Sequence, residues 1–107
     1  LITKFFKQWA EANTELLHSD FISTEIIEKT QLNGKRVADP SVVVLHEAAY
    51  CLGEIIVWES AQLEYQVVKI QTEERLLWNY IDKLSENPNF DEITTEYFKV
   101  LNSGLKP

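Results

Sequence analysis

The chain has 107 residues, 45% of them hydrophobic and 11% aromatic, enough to fill one core and too few for two. Its formal net charge of −7 repels nucleic acid and anionic lipid and would steer a basic partner toward it, although it equally serves plain solubility. No apolar run approaches the roughly 18–20 residues of a membrane span, and Lys4 and Lys7 interrupt any secretory pattern at the start.

The charge is uneven. Residues 1–36 carry five basic and five acidic side chains, whereas residues 37–107 carry five basic and twelve acidic. The lone Cys51 allows no internal disulfide and fits a reducing, cytoplasmic compartment. With no methionine present, the natural start is expected to lie outside these residues.

Residues 2–18 predict an amphipathic helix, with Ile2, Phe5, Phe6, Trp9, Ala12 and Leu16 at spacings of three and four. Lys7 and Glu11 are placed to pair across one turn. Residues 19–40 form a variable segment. FISTEIIEKTQL reads either as a short helix stopped at Gly34 or as a strand turning at Asn33-Gly34. An irregular or short-strand reading is preferred, closed at Asp39-Pro40 because the residue before proline avoids helical geometry.

The period changes at Ser41. SVVVL (41–45), GEIIVWES (53–60), QLEYQVVKI (62–70) and LLWNYI (76–81) read as strands joined by short links. The third alternates most cleanly, Leu63, Tyr65 and Val67 against Gln62, Glu64 and Gln66. Residues 73–85 also fit a helical stripe through Leu76, Leu77, Tyr80, Ile81 and Leu84. Asn87-Pro88-Asn89 then breaks the chain, and Asn89 is expected to cap a helix over 90–103 that Asn102 or Gly104 ends.

The expected fold is α+β in a single domain, 1–107: helix 2–18, an antiparallel four- to five-stranded meander sheet within 41–84, and helix 90–103. Strands 41–45 and 54–58 are apolar on both faces and should be central and covered on both sides. If the two helices cover one face, the other stays open and partly apolar, a candidate partner surface. Gly53 is expected to bend the chain at a strand entry, and Trp58 to be core.

Catalytic, metal and cofactor sites are not expected. HEAAY (46–50) lacks the second histidine of a zinc-peptidase helix, so His46 reads as a hydrogen-bonded strand-end residue. Cys51 has no oxyanion-hole pattern beside it and reads as a buried, inert thiol. Gly34, Gly53 and Gly104 stand apart and form no phosphate loop.

The run from Pro40 to Leu84 resembles the TriTu family of immunity proteins of contact-dependent growth inhibition systems. Pro40, Ser41, Val42, Gly53, Val57, Trp58, Ser60, Thr72 and Trp78 carry the resemblance, within 45 of the 107 residues. Ala61 stands where the family often has glycine, Glu64 where it often has aspartate, and Glu74 near a usual turn glycine. The resemblance implies an antitoxin that acts by stoichiometric binding, without turnover. Its implied partner is the C-terminal nuclease domain of a cognate toxin, a domain that cleaves transfer RNA and is linked to elongation factor Tu. Neither nucleic acid nor membrane is expected to be bound directly. An acidic surface drawn from Glu47, Glu54, Glu59, Glu64, Glu73 and Glu74 is the expected contact; the rival is a generic acidic interaction domain with no toxin partner.

Overall fold

The computed structural model describes residues 1–107 as a helix, a five-stranded antiparallel meander and a helical C-terminus. The elements are α1 (Ile2–Ser19), β1 (Ser23–Leu32), β2 (Lys35–Glu47), β3 (Cys51–Trp58), β4 (Leu63–Lys69), β5 (Arg75–Ile81), α2 (Phe90–Ile93) and α3 (Thr95–Ser103). Strand order in space equals strand order in sequence, so every connection is a hairpin and β3 is the middle strand.

Both helical regions lie on one face. There α1 crosses β1, β2 and β3, while α3 crosses β3, β4 and β5. The core is built from the strand positions that point to the helices, Val42, Val44, Cys51, Ile55, Val57, Leu63, Tyr65 and Val67, closed by Phe6, Ala10, Tyr97, Val100 and Leu101. Aromatic rings join the two helical layers: Phe90 sits 5.2 Å from Phe6 and 5.7 Å from Trp9, centroid to centroid. The Trp9 indole N–H donates to Asp91 Oδ1 at 2.8 Å, tying α1 to α2.

Several expectations need correction. The inward stripe of α1 is rotated from the predicted one: Thr3, Phe6 and Ala10 are buried with Ile2, Trp9 and Leu17 beside them, while Phe5 and Leu16 are exposed. Lys7 does not pair with Glu11 but reaches across to Glu28 of β1 at 3.3 Å. Of the readings open for 19–40, the strand turning at Asn33-Gly34 holds, and the irregular and helical ones fall. The sheet begins at Ser23, because Asn33 (φ 53°) and Gly34 (φ 79°) both take the left-handed conformation of a two-residue hairpin turn.

Asp39-Pro40 does not close the segment either; Pro40 lies within β2. The ladder pairs Lys29 with Ser41 and Gln31 with Arg36, so Thr30 alone opposes residues 37–40. Proline is tolerated at such an irregularity because no ladder donor is required of it. Its carbonyl accepts from the Glu59 N–H at 2.9 Å.

The helical rival for 73–85 also falls. Val67 pairs with Leu77 and Val68 with Arg75, which leaves Leu76 as an extra residue in β5. This bulge turns two consecutive leucines toward the core and so imitates a helical stripe. The C-terminal helix bends at Thr94, whose Oγ1 donates back to the Phe90 carbonyl at 2.6 Å. Asn89 caps it as expected, its Oδ1 accepting from the Glu92 N–H at 3.1 Å, and Gly104 ends it at φ 69°.

Gly53 is not a bend. It lies inside β3, and a Cβ there would sit 2.7 Å from Tyr97 Cζ and 3.1 Å from Leu101 Cδ1, with the Tyr97 hydroxyl nearer still. The missing side chain is the seat of the Tyr97 ring.

Candidate functional site

The alternation that sends Val42, Val44, Ile55 and Val57 to the helices sends their neighbours to the opposite face, which no element covers. The central strands are therefore covered on one side only. Register places the outward residues in rows. One row runs Ile27, Val43, Ile56, Glu64, Tyr80; the next runs Glu25, Leu45, Glu54, Gln66, Trp78. Leu52 and Val68 follow, paired with each other, and Trp58 stands opposite Ser41 at the other end.

This face has an apolar spine, broken at Glu54 of the middle strand, and an acidic fringe. Val43 is only 3% exposed although no helix touches it, because Ile27 and Ile56 flank it across the ladder. Trp58 is not core: it lies half-buried on this open face, outside the cluster under the helices. Trp78 (48% exposed) and Tyr80 (40% exposed) stand at the β5 side. Leu52, with Tyr50 and Ile70 at the adjoining turns, extends the exposed apolar surface; the Ile70 N–H donates to the Tyr50 carbonyl at 2.9 Å.

Two of the open-face carboxylates are held in place. Glu64 Oε2 accepts from the Trp78 indole N–H at 2.9 Å, and Arg75 Cζ lies 5.8 Å from the centre of the same ring. Glu54 Oε1 accepts from Gln66 Nε2 at 3.2 Å. The other oxygen of each makes no hydrogen bond within the chain.

The six expected contact acids do not form one group. Glu47, Glu54 and Glu64 share the open face. Glu59 follows β3 on the helix side, where it binds Arg36 at 2.8 Å and lines a hollow with Lys4, Lys7 and Glu28. Glu73 and Glu74 lie in the β4–β5 turn, and Lys106 beside Glu74 holds its carboxyl below the usual carboxylate range. Glu25 belongs with the open-face set too, a place that depends on the full length and register of β1. Once β1 is drawn, period two places Glu25 beside Leu45.

The chemical candidates are structural. His46 and Glu47 lie on a strand and so point to opposite faces, unlike the helix a zinc-peptidase site needs. His46 is 3% exposed, and its Nδ1 is 2.7 Å from the Tyr97 hydroxyl; burial lowers its pKa to about 4. Burial pushes Tyr97 well above its ordinary value, with Glu54 adding to the effect. Cys51 is fully buried, its Sγ 4.0 Å from the Val100 carbonyl, and burial raises its thiol pKa. No three His, Cys, Asp or Glu side chains converge as metal ligands. No helix is long and apolar enough to cross a membrane.

The positions that match the family pattern have local roles. Ser60 donates from its N–H to Asp39 Oδ1 (3.1 Å) and from its hydroxyl to Asp39 Oδ2 (2.7 Å), and Thr72 Oγ1 accepts from the Glu74 N–H at 3.3 Å. The departures are informative too: Ala61 (φ 68°) occupies the left-handed region that favours glycine, and so does Glu73 (φ 60°), the neighbour of Glu74. The family model described as Immunity protein TriTu matches residues 4–100. Neither a curated protein nor a solved structure matches the chain.

Proposed function

This chain belongs to the TriTu immunity protein family, non-enzymatic proteins that neutralise a toxin, and from that premise we propose that it does so by covering its toxin with the open face of the sheet. The observation that carries this reading is the face itself: an apolar spine through Val43, Leu45, Leu52, Ile56 and Trp58, interrupted at its middle by Glu54 and bordered by Glu25, Glu47 and Glu64, with nothing packed on it. A surface of that kind suits a partner with an apolar centre and a basic rim.

The toxin class follows from charge. A nuclease domain that cleaves transfer RNA holds phosphate with cations, and those cations are what an acidic face would occupy. Net charge of −7 steers the encounter, while tryptophans supply short-range affinity. Elongation factor Tu meets this protein only through the toxin.

The test is co-expression with the C-terminal domain of the toxin encoded beside it. The wild-type chain rescues growth and co-purifies at one to one. Trp58→Ala weakens the complex at least about tenfold, and joint replacement of Glu47, Glu54 and Glu64 by glutamine lowers affinity and its salt dependence. Wild-type failure to bind or rescue refutes toxin neutralisation by this pair, leaving a generic acidic interaction domain. A tight complex indifferent to all four substitutions refutes the open face while leaving neutralisation intact.

A further inference from the structure

Resting on that reading, we propose that the toxin contributes an extended strand that pairs with the outer edge of β5 and continues the sheet. The argument starts from one main-chain group. The Tyr80 N–H donates to Asn79 Oδ1 at 2.9 Å, the side chain of its own neighbour, rather than to β4. In an antiparallel ladder, consecutive residues alternate between facing the partner strand and facing away. The main chain of Tyr80 therefore faces outward, and so does that of Trp78, while Leu77, Asn79 and Ile81 bond to β4.

That outer side is vacant. β5 is the last strand of the sheet, and no main-chain hydrogen bond from a turn or helix reaches residues 76–81. Its protection is confined to its first residues, the charge of Arg75 and the bulge at Leu76. Leu77–Ile81 contains no charge and no proline, whereas β1, the other edge, carries Glu25, Glu28 and Lys29 within its length. Along that stretch Asn79 alone blunts the edge, by occupying one donor with a side-chain oxygen that an incoming carbonyl can replace at equal hydrogen-bond count.

The side chains agree. Trp78 and Tyr80 project onto the open face from this strand, so an added strand would extend the apolar spine and lie beside both aromatics. Glu64, paired across the ladder from Tyr80, faces the same side. This selects a cationic or apolar strand over a second copy of this chain, which would bring another net −7.

The decisive experiment is amide hydrogen exchange on the full chain, free and bound to the toxin domain. Exchange at Tyr80 and Trp78 is expected to slow at least tenfold on binding. A companion variant, Tyr80→Pro, removes an outward donor without removing a β4 ladder bond, the one strand setting in which proline is tolerated. It should lose at least tenfold in affinity beyond Tyr80→Ala, and Asn79→Ala should bind as well as wild type. If Tyr80 and Trp78 exchange at the same rate free and bound while the complex forms, strand addition is refuted and the face reading survives. If the chain alone sediments as a dimer with those amides already slowed, the occupant is a second copy and the proposal is refuted. If only Trp58→Ala weakens the complex and Tyr80→Pro matches Tyr80→Ala, the edge plays no part.

Discussion

Replacing Gly53 by alanine should damage this fold more than any other single methyl group added to the sheet. The new Cβ would stand 2.7 Å from Tyr97 Cζ and closer to its hydroxyl, inside the distance at which something must move. What must move is a fully buried ring, 5.4 Å from Tyr65 and 5.0 Å from Phe98 by centroids, whose hydroxyl is held 2.7 Å from His46 Nδ1. Overpacking a tight core costs about 1–3 kcal/mol. Stretching the His46–Tyr97 bond until a buried polar atom is unpaired costs about 1–3 kcal/mol more. The sum is about 2–6 kcal/mol, a fall of roughly 10–25 °C in melting temperature for a domain of this size. Urea and thermal unfolding of the purified variant measure it directly. A cycle with Tyr97→Phe identifies the cause. Losing the hydroxyl alone should destabilise by about 1–3 kcal/mol, since His46 loses its partner. In that background the hydroxyl contact is gone but Cζ still stands 2.7 Å from the new Cβ, so the alanine methyl costs only the overpacking of about 1–3 kcal/mol, giving a coupling of at least about 1 kcal/mol. Additive effects, or a Gly53→Ala variant within about 0.5 kcal/mol of wild type, would refute the fit between strand and ring.

Other expectations follow from backbone and charge. Ala61→Gly and Glu73→Gly should each stabilise by about 0.5–1 kcal/mol, because both residues hold a positive φ that costs a side chain about 1–2 kcal/mol; loss of stability in either would overturn that reading. Phe21→Gly should act alike: Phe21 has φ 62° at the end of α1 and is 91% exposed, so little packing is lost. Stability should fall with acid through His46. Its folded pKa, about 4, lies below the unfolded 6.5, so the unfolded chain binds the extra proton between those values. The contribution is complete above pH 6.5 and fades toward pH 4, by about 2 kcal/mol between pH 7 and pH 5. Urea midpoints at the two pH values, compared with those of His46→Gln, measure it; an equal decline in the variant removes His46 as the cause.

The sequence made some elements legible because one local rule decided them. β4 showed clean alternation, and the C-terminal helix announced its cap at Asn89 and its stop at Gly104. Elsewhere two rules competed. Asn33-Gly34 suits both a helix stop and a hairpin, and only pairing with β2 decides between them. Leu76-Leu77 mimicked a helix because a bulge is a tertiary event, visible only against Val67 and Val68. Gly53 looked like a bend because no local pattern reveals a tyrosine arriving from a helix more than forty residues later. The candidate site was half legible for a related reason. Acidity is written in composition, but which acids share a face depends on register. Glu47, Glu54 and Glu64 come together through the pairing of β2, β3 and β4, and Glu25 joins them only once β1 is paired.

That register also divides the residues behind the family resemblance. Val42 and Val57 fill the core, Gly53 admits Tyr97, Ser60 anchors Asp39 and Thr72 holds a turn. Each is explained by folding alone. Trp58 and Trp78 are not. A tryptophan has about 150–250 Å² to bury, and both of these stand on the face that no helix covers. Trp78 is moreover fixed from two sides, by Glu64 on its N–H and Arg75 over its ring, so little rotamer freedom remains to be lost on binding. An exposed aromatic that is already immobilised contributes little to folding and much to association. The same logic gives the acids their order. Glu64 and Glu54 are positioned by Trp78 and Gln66 and can meet a cation without further ordering, whereas Glu74 already has Lys106 and Glu59 already has Arg36. Affinity should therefore fall more for Glu64→Gln than for Glu59→Gln or Glu74→Gln. In titrations against the toxin domain, the reverse order would place the contact on the helix side or the β4–β5 turn instead.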